Sequence, residues 1–190
     1  MSHPTTTSSA DTALLVIDVQ EKLMAKIPAA DALIRNIAFL IDGAKLVGLP
    51  VTATEQYPKG LGPTVTALAA RVPERADKVA FSCCAVPSVI DGLHSNGRPK
   101  IVLAGIEAHV CVLQTALDLL AANYRVFVPV DAIGSRFAVD HEFAWRRMER
   151  AGAVVTTSEA CVFEWFGGSD HPQFKKLSAL VQERMKALSV

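Results

Sequence analysis

The sequence predicts a single α/β domain, a three-layer doubly wound fold in which a six-stranded parallel sheet is flanked by helices. Short apolar runs alternate with longer amphipathic segments along the 190 residues, and no repeat or low-complexity linker interrupts them. Such alternation is typical of a parallel sheet that is covered on both faces. The length, with a hydrophobic fraction of 51%, is sufficient for one domain with a sizeable core.

The predicted strands are short and apolar. The first, Thr12–Asp18, is a continuous apolar run that ends on a carboxylate, as expected of a strand buried on both faces. A loop of turn-forming residues, Tyr57–Pro63, follows the second strand. The later strands are predicted, in chain order, at Pro50–Thr54, Lys78–Ser82, Lys100–Ala104, Arg125–Val130 and Ala153–Thr156.

The predicted helices lie between these strands. Apolar residues recur at helical spacing from Leu33 to Val47, and Gly48 is a suitable C-terminal cap. Later helices are predicted near Val86–His94, Val110–Ala122 and Asp140–Ala151, and from Pro172 onward. Because ligands bind beyond the carboxyl ends of parallel strands, polar residues at strand ends are the candidates for a functional site.

Composition argues against several classes of protein. Nineteen basic residues balance nineteen acidic ones, which disfavours a nucleic-acid partner. No apolar run reaches the roughly 18–20 residues that a membrane span needs. The four cysteines form neither a disulfide framework nor a CxxC pair, so free thiols in the cytoplasm are predicted. Residues 1–11 are Ser/Thr-rich and are predicted to be a disordered tail before a domain at 12–190.

The strongest local signal for chemistry is a cysteine in the segment AGIEAHVCV, residues 104–112. Cys111 follows a strand and a glycine turn, at or near the start of a helix, where a thiol pKa falls from about 8.5 toward neutrality. That position suits a nucleophile, but it also suits a small buried side chain. A pair between Cys111 and His109 is disfavoured, because residues two apart face different ways in a helix.

Two further residues acquire a meaning beside this cysteine. Asp18 ends an apolar strand, where it suits either a buried base or the N-cap of a following helix. Lys78 begins a predicted strand and, alone, suits a surface lysine. Together they supply a base for the Cys111 thiol and a cation for the resulting charges. Cys83 and Cys84 follow the third strand and either line a pocket or pack inertly.

Several motifs, in order, make the chain resemble the isochorismatase-like cysteine hydrolases. These are LLVIDVQ at residues 14–20, a lysine shortly before FS, and GIEAHVCVLQTALDL at 105–119. The segments TEQYPKGLGPT, SRFAVDHEFAWRRMERAGAVVTTSEACVFEW and HPQFKKL are similar to the isochorismatase domain-containing branch. The resemblance spans Thr12 to about Leu180, and it implies that residues 12–190 form an isochorismatase-like hydrolase domain.

The resemblance implies a role for each matching residue. Asp18 corresponds to the acid–base aspartate, Lys78 to the catalytic lysine and Cys111 to the nucleophile. It also implies a cis peptide at Ile106–Glu107 and an oxyanion hole made by the backbone amides of Glu107 and Cys111. Candidates to line the substrate pocket are Gln20, Glu55, Gln56, Tyr57, Phe81, Ser82 and Ile106.

Two departures from the wider superfamily narrow the predicted function. The nicotinamidase branch binds a metal through an aspartate and histidines near the end of the second strand. The corresponding segment here, TATEQYPKG at residues 52–60, has no histidine. The five histidines of the chain are scattered and lack the spacing of metal ligands. We therefore predict no metal and no cofactor. The true isochorismatases lack the nucleophilic cysteine, so its presence favours hydrolysis of a small amide or related acyl compound through a thioester. A small-molecule binding or scaffolding protein with little turnover is the alternative.

The resemblance also implies a homo-oligomer, a dimer or larger. Aromatic residues crowd one late segment of the sequence, namely Trp145, Phe163, Trp165 and Phe166. Aromatic side chains are enriched in interface cores, so this cluster is a candidate interface. The alternative is that the cluster packs beneath the C-terminal helix.

Overall fold

The computed structural model describes residues 3–188, with side chains to residue 186. Within this range seven strands form one sheet, in which every pairing is parallel. The strands are β1 Thr12–Ile17, β2 Val51–Gln56, β3 Ala76–Lys78, β4 Lys100–Ile106, β5 Arg125–Pro129, β6 Ile133–Gly134 and β7 Val154–Thr156.

Helices connect the strands and cover the sheet. They are α1 Glu21–Met24, α2 Ala30–Leu46, α3 Pro58–Leu61, α4 Thr66–Ala69, α5 Pro87–Ser95, α6 Leu113–Ala121, α7 Ala138–Arg150, α8 Ser158–Phe166 and α9 Phe174–Leu188. A π-helical turn, Ala108–Val112, precedes α6, and a 3₁₀ turn, Cys83–Ala85, precedes α5. No helix in the described range is long and apolar enough to cross a bilayer.

The strand order places a binding edge at the centre of the sheet. The order is β3-β2-β1-β4-β5-β7, with β6 beside β4. The chain moves outward in one direction from β1 to β3 and in the other direction from β4, so the topology reverses between β1 and β4. Ligands of such sheets bind at this point, beyond the carboxyl ends of the strands.

The core consists of two apolar layers, one on each face of the sheet. All six residues of β1 are buried, and alternate side chains enter opposite layers. Leu14 and Val16 pack with residues of α2, α8 and α9, whereas Leu15 and Ile17 pack with residues of α5, α6 and α7. The predicted three-layer α/β fold is therefore confirmed.

The sheet has seven strands where six were predicted, because β6 has only two residues and leaves no sequence pattern. The third strand was also misplaced: it was predicted at Lys78–Ser82 but is Ala76–Lys78. β2 ends at Gln56, which pairs with Lys78, so the residues after Lys78 have no neighbouring strand. Val79 is consequently 81% exposed, and Lys78 ends the strand instead of beginning it.

The segment before β1 is attached to the domain. The backbone amide and the hydroxyl of Thr7 donate to the carboxylate of Glu164, at 2.7 and 2.6 Å. The ammonium of Lys100 donates to the carbonyl of Thr6 at 2.6 Å. The prediction of a disordered tail is therefore wrong for residues 6–11, whereas Met1 and Ser2 lie outside the described residues, as do Ser189 and Val190.

The late aromatic cluster belongs mainly to the protein's own core. Trp165 and Phe166 are 2% and 5% exposed and pack in the layer formed with α2. Trp145 packs against the opposite layer, and Phe163 remains partly exposed. The prediction that these residues form an interface is therefore wrong for Trp165 and Phe166, whose side chains are already covered within the chain.

A close backbone approach at the central edge requires glycine. Gly105 of β4 is paired with Ile17 of β1 and has a φ of +124°. A Cβ atom at this position would lie 2.1 Å from the carbonyl oxygen of Ile17. The ends of β1 and β4 can therefore lie side by side only because residue 105 has no side chain.

We expect Gly105→Ala to lower the free energy of unfolding by about 3 kcal/mol or more, since strained backbone and overpacking add. Urea denaturation followed by circular dichroism measures this change. Gly92→Ala in α5 is the matched control, because a Cβ there meets no atom within 4 Å; it is expected to change stability by less than about 1 kcal/mol. A Gly105→Ala protein as stable as the control would contradict the close approach.

Candidate active site

Asp18 follows β1 directly and lies at the point where the topology reverses. Its φ of +53° is in the left-handed region, which aspartate adopts more readily than most residues. The carboxylate is fully buried; Oδ1 accepts from the hydroxyl of Thr54 at 2.8 Å, and Oδ2 lies 2.6 Å from Nζ of Lys78. Since α1 is capped at Gln20 without a side-chain hydrogen bond, the N-cap alternative for Asp18 is wrong.

Lys78 extends from the end of β3 into the same site. Its side chain has no solvent exposure. Besides the Asp18 carboxylate, its ammonium donates to Oε1 of Gln56 at 2.6 Å and to the carbonyl of Phe81 at 3.0 Å. An ammonium has three protons to donate, and here they have three close partners. The alternative of a surface lysine is wrong.

Cys111 lies in the π-helical turn between β4 and α6 and is almost completely buried. Its thiol lies close enough to the Asp18 carboxyl group and to the Lys78 ammonium for both groups to act on the thiol pKa. The turn begins at Glu107, whose carbonyl accepts from the amides of Val110 and Val112. The peptide bond between Ile106 and Glu107 is cis. The fold thus brings together the three side chains that the sequence indicated.

The electrostatics of the site favour a proton on the cysteine. Burial, followed by the negative charge of Asp18, raises the pKa of the Cys111 thiol to about 12. Burial also raises the pKa of the Asp18 carboxyl above its usual value, although Lys78 opposes this effect. The expectation that a helix N-terminus lowers the thiol pKa is therefore wrong, because the thiol is desolvated and adjoins a carboxylate.

Two predicted pocket residues, Gln20 and Gln56, instead hold Lys78 in place. Gln20 donates to the carbonyls of Gln56 and Gly62, and it accepts from the amide of Gln56 at 2.7 Å. It thereby fixes the end of β2 and the following loop. Gln56 in turn holds the ammonium of Lys78 and donates to the carbonyl of Val79. Both glutamines are buried, so they act as a scaffold for Lys78.

The remaining pocket candidates are dispersed. Tyr57 and Phe81 are about half exposed, on the loops that follow β2 and β3. Ser82 is buried and accepts from the amide of Cys84, and Ile106 is part of the core. The carboxylate of Glu55 binds Thr64 and Arg75 and not Asp18, Lys78 or Cys111.

Other polar groups near Cys111 are paired with one another. Nδ1 of His109 lies 3.0 Å from the hydroxyl of Ser135, so the ring has a partner other than the Cys111 thiol. The Glu107 carboxylate forms an ion pair with Arg136 at 2.6 Å. Among residues 3–188, no group of three or more His, Cys, Asp or Glu side chains is arranged to hold a metal ion.

Two buried threonines at the site were not predicted from the sequence. Thr54 donates to Asp18, and Thr115 donates to the carbonyl of Cys111 at 2.7 Å. Thr54 ends the predicted second strand, so its position at the binding edge was a usable signal. Thr115 lies four residues after Cys111, a spacing at which a helical hydroxyl reaches the backbone carbonyl.

Comparison with known proteins defines the family. A family model described as the Isochorismatase domain matches residues 12–160. The chain belongs to the isochorismatase family. Isochorismatase domain-containing protein 2 of Xenopus laevis is 40% identical over 171 residues, which cover 90% of this chain and 83% of that protein. The family named from the sequence motifs is therefore confirmed.

Solved structures of similar proteins agree with the fold of this isochorismatase-family chain. The MAR1 ribonuclease of Caenorhabditis elegans is 44% identical, with a TM-score of 0.88 over 93% of this chain and 92% of that one. The YcaC gene product of Escherichia coli, an octameric hydrolase of unknown specificity, also has a TM-score of 0.88, covering 100% and 97% of the two chains. At 24% identity YcaC shows the fold alone. The isochorismatase-family protein has a hydrolase fold.

In this isochorismatase-family protein, Glu55 is expected to stabilise the fold and to have no part in the reactivity of Cys111. Burial alone would raise the pKa of its carboxyl, but hydrogen bonds from Thr64 and the charge of Arg75 lower the pKa below 4.5. A depressed folded-state pKa means that the stabilisation is present above about pH 4.5 and is lost as pH falls through the folded value. We expect Glu55→Gln to cost about 1–3 kcal/mol at pH 7.

The difference in unfolding free energy between wild type and Glu55→Gln is expected to shrink below pH 4.5, as measured by urea denaturation across pH. Alkylation of Cys111 at pH 7 should stay unchanged. Glu149→Gln, on the exposed face of α7, is the control and should have little effect at any pH. A Glu55→Gln variant of normal stability that loses Cys111 reactivity would instead place Glu55 in the site.

Proposed function

We propose that this protein is a metal-independent cysteine hydrolase that cleaves a small amide or related acyl compound through a thioester on Cys111. The observation that carries the proposal is the buried ion pair of Asp18 and Lys78 beside the buried thiol of Cys111. A nucleophile, a neighbouring base and a cation that holds the base are the parts that covalent acyl transfer requires.

The first half of the reaction forms the thioester. Asp18 takes the proton of Cys111 as the sulfur bonds to the substrate carbon; because the thiol pKa is about 12, the thiolate does not accumulate beforehand. Lys78 balances the negative charge. The backbone amides of Glu107 and Cys111 are the proposed donors to the oxyanion, each worth about 2.7–4 kcal/mol in comparable sites. The C–N bond then breaks, and Asp18 returns the proton to the leaving amine.

The second half of the reaction releases the acid. Water attacks the thioester carbon while Asp18 accepts one of its protons. The C–S bond breaks, and Asp18 delivers that proton to the sulfur of Cys111. The raised pKa of Asp18 suits both steps, since an efficient acid–base group has a pKa nearer the working pH than an ordinary carboxyl. The alternative of a binding protein with little turnover is not favoured, because binding alone gives no reason to bury these three groups together.

A ribonuclease is the second candidate, and one observation favours it: the 44% identity to the MAR1 ribonuclease. The charge of the chain argues against this candidate. Acidic and basic residues balance, whereas binding of a polyanion depends on clustered cations. The Lys78 ammonium is fully buried and already paired with Asp18, so it is not free to bind a phosphate. We therefore place RNA cleavage second.

We also propose that copies of the chain associate. The apolar residues Phe137, Val139 and Phe143 are more than half exposed at the start of α7. The acidic residues of this helix already have partners within the chain, since Glu142 forms an ion pair with Arg146 at 2.7 Å and Asp140 lies 3.7 Å from His109. The apolar residues have no such cover, and packing of the start of α7 against its copy about a two-fold axis would bury them.

We expect release of ammonia from a panel of small amides to be abolished in Cys111→Ala and lowered about 10²–10⁴-fold in Asp18→Asn. Cys84→Ala, which removes a partly buried thiol outside the triad, should retain activity. Because the base must be ionised, activity should rise with pH through the pKa of Asp18, which lies above 3.8. Dialysis against EDTA should change nothing; a loss restored by a divalent ion would contradict the metal-free mechanism.

The same variants separate the two candidate functions. RNA degradation by the purified wild-type protein that disappears in Cys111→Ala, together with inactivity toward every amide, would favour the ribonuclease. RNA degradation that persists in Cys111→Ala would indicate a contaminant or another site.

Sedimentation velocity at micromolar concentration tests the association. We expect a species of at least twice 20.3 kDa for the wild type. Phe143→Glu should shift it toward the monomer, because a buried unpaired charge opposes association. Phe163→Glu, at a partly exposed aromatic of α8, is the control and should sediment as the wild type does. A wild-type monomer would contradict the proposal.

A further inference from the structure

We propose that three buried residues, Thr54, Cys83 and Thr115, form a bracket that fixes the base Asp18 relative to the nucleophile Cys111. The inference rests on the proposed function. It adds three positioning residues that do not themselves touch the substrate. Thr54 is 1% exposed, and Cys83 and Thr115 are fully buried, so their polar atoms must find partners within the protein.

Thr54 fixes the orientation of the base. Its hydroxyl donates to Oδ1 of Asp18 at 2.8 Å, and its carbonyl accepts from the backbone amide of Asp18 at 3.1 Å. With Oδ1 held in this way, Oδ2 is the oxygen that lies 2.6 Å from the Lys78 ammonium. The side-chain and main-chain bonds together leave the carboxylate one orientation in the site.

Thr115 fixes the segment that carries the nucleophile. Its hydroxyl donates to the carbonyl of Cys111 at 2.7 Å and accepts from the backbone amide of Cys83 at 2.9 Å. A hydroxyl has one proton to donate, and that proton goes to Cys111. Thr115 therefore connects the π-helical turn to the 3₁₀ turn that follows Lys78.

Cys83 joins the two halves of the bracket. Its sulfur lies 3.7 Å from the hydroxyl oxygen of Thr54. Because the only hydroxyl proton of Thr54 is directed to Asp18, the thiol of Cys83 is the donor in this contact. One residue thus contacts Thr54 through its side chain and Thr115 through its main chain. A continuous set of hydrogen bonds runs from the Asp18 carboxylate to the Cys111 carbonyl.

If the bracket positions Asp18, then removal of the Thr54 hydroxyl should change the pH dependence of Cys111 reactivity, which a purely structural role would not do. A hydrogen bond to the ionised form of a carboxyl lowers its pKa, and the Thr54 hydroxyl acts on Asp18 in this sense. Its removal should therefore raise the pKa of Asp18 further. The pH at which Asp18 becomes able to take the proton of Cys111 should rise with it.

The test measures alkylation of Cys111 by iodoacetamide, with the modified peptide quantified by mass spectrometry from pH 4 to pH 9. The Cys111 sulfur bonds to the methylene carbon, iodide leaves, and the thiol proton passes to Asp18 and then to solvent. The rate should rise with pH through the pKa of Asp18. We expect Thr54→Val to move this rise upward by about one pH unit and to lower the plateau rate several-fold.

Two threonine variants control this measurement. Thr54→Ser keeps the hydroxyl and should keep the wild-type profile. Thr12→Val removes another fully buried hydroxyl of the same sheet, which donates to Oδ1 of Asp11 at 3.0 Å at the opposite end of β1. It should lose comparable stability without altering the Cys111 profile.

The other members of the bracket have distinct expected effects. Cys83→Ala, which leaves Thr54 without its donor, should shift the profile in the same direction as Thr54→Val but by less. Thr115→Val should lower the plateau rate without moving the pH of the rise, since it acts on the nucleophile. If Thr54→Val does not fold, Cys83→Ala still decides: an unshifted Cys83→Ala profile would overturn the bracket.

The outcomes separate this inference from the proposed function. If wild type and Asp18→Asn react with the same profile, Asp18 is not the base and the proposed function fails. If Asp18→Asn abolishes the rise while Thr54→Val and Cys83→Ala both match wild type, the triad survives and the bracket is wrong.

Discussion

A carboxylate and an ammonium lie 2.6 Å apart in this protein, and neither side chain is exposed to solvent. Removing two such ions from water costs several kcal/mol for each, and their attraction offsets this cost only when the remaining donors and acceptors are also satisfied. Around Asp18 and Lys78 these partners come from two segments of the chain: Thr54 and Gln56 belong to β2, and the carbonyl of Phe81 belongs to the loop after β3. The positions of the polar side chains around Asp18 and Lys78 therefore follow from the need to bury this ion pair with its hydrogen bonds satisfied.

The sheet topology explains how residues distant in sequence reach this ion pair. β1 delivers Asp18, β2 delivers Thr54 and Gln56, and β3 ends on Lys78, all at the same edge. β4 lies on the other side of β1 and leads into the turn that carries Cys111. Parallel strands end at one edge, so the fold collects polar side chains there while their apolar neighbours fill the two core layers.

Much of this arrangement was predictable from the sequence. Asp18 and Cys111 stand out because each follows a buried apolar strand, a pattern that is local in the sequence. Lys78 gained a role only beside Asp18 and Cys111 and from the family motifs, since its apolar neighbours Val79 and Phe81 suggested a strand that β2 is too short to pair with. Helix α8 was missed because apolar residues occupy most of its length and leave no clear polar face.

Other features depend on the folded chain. The position of Thr54 at the end of a predicted strand marks it as a residue of the binding edge, but a threonine in a strand is also an ordinary β-branched residue. Its bond to Asp18 became visible only in the folded chain. The pKa of Cys111 was expected to fall and instead rises, because desolvation depends on how completely other segments cover the thiol. The sequence indicates that Cys111 lies near the start of a helix, but it does not show how completely water is excluded from the thiol.

The position of β3 at the border of the sheet has a consequence for local opening. This strand has three residues and a single neighbouring strand, so its backbone bonds are among the easiest in the sheet to break. Detachment of β3 would draw Lys78 away from Asp18 and leave a buried carboxylate without its counter-ion. The bonds that the Lys78 side chain makes therefore help to anchor this edge strand, and local opening of β3 is sufficient to separate the Asp18–Lys78 ion pair while the rest of the sheet stays folded.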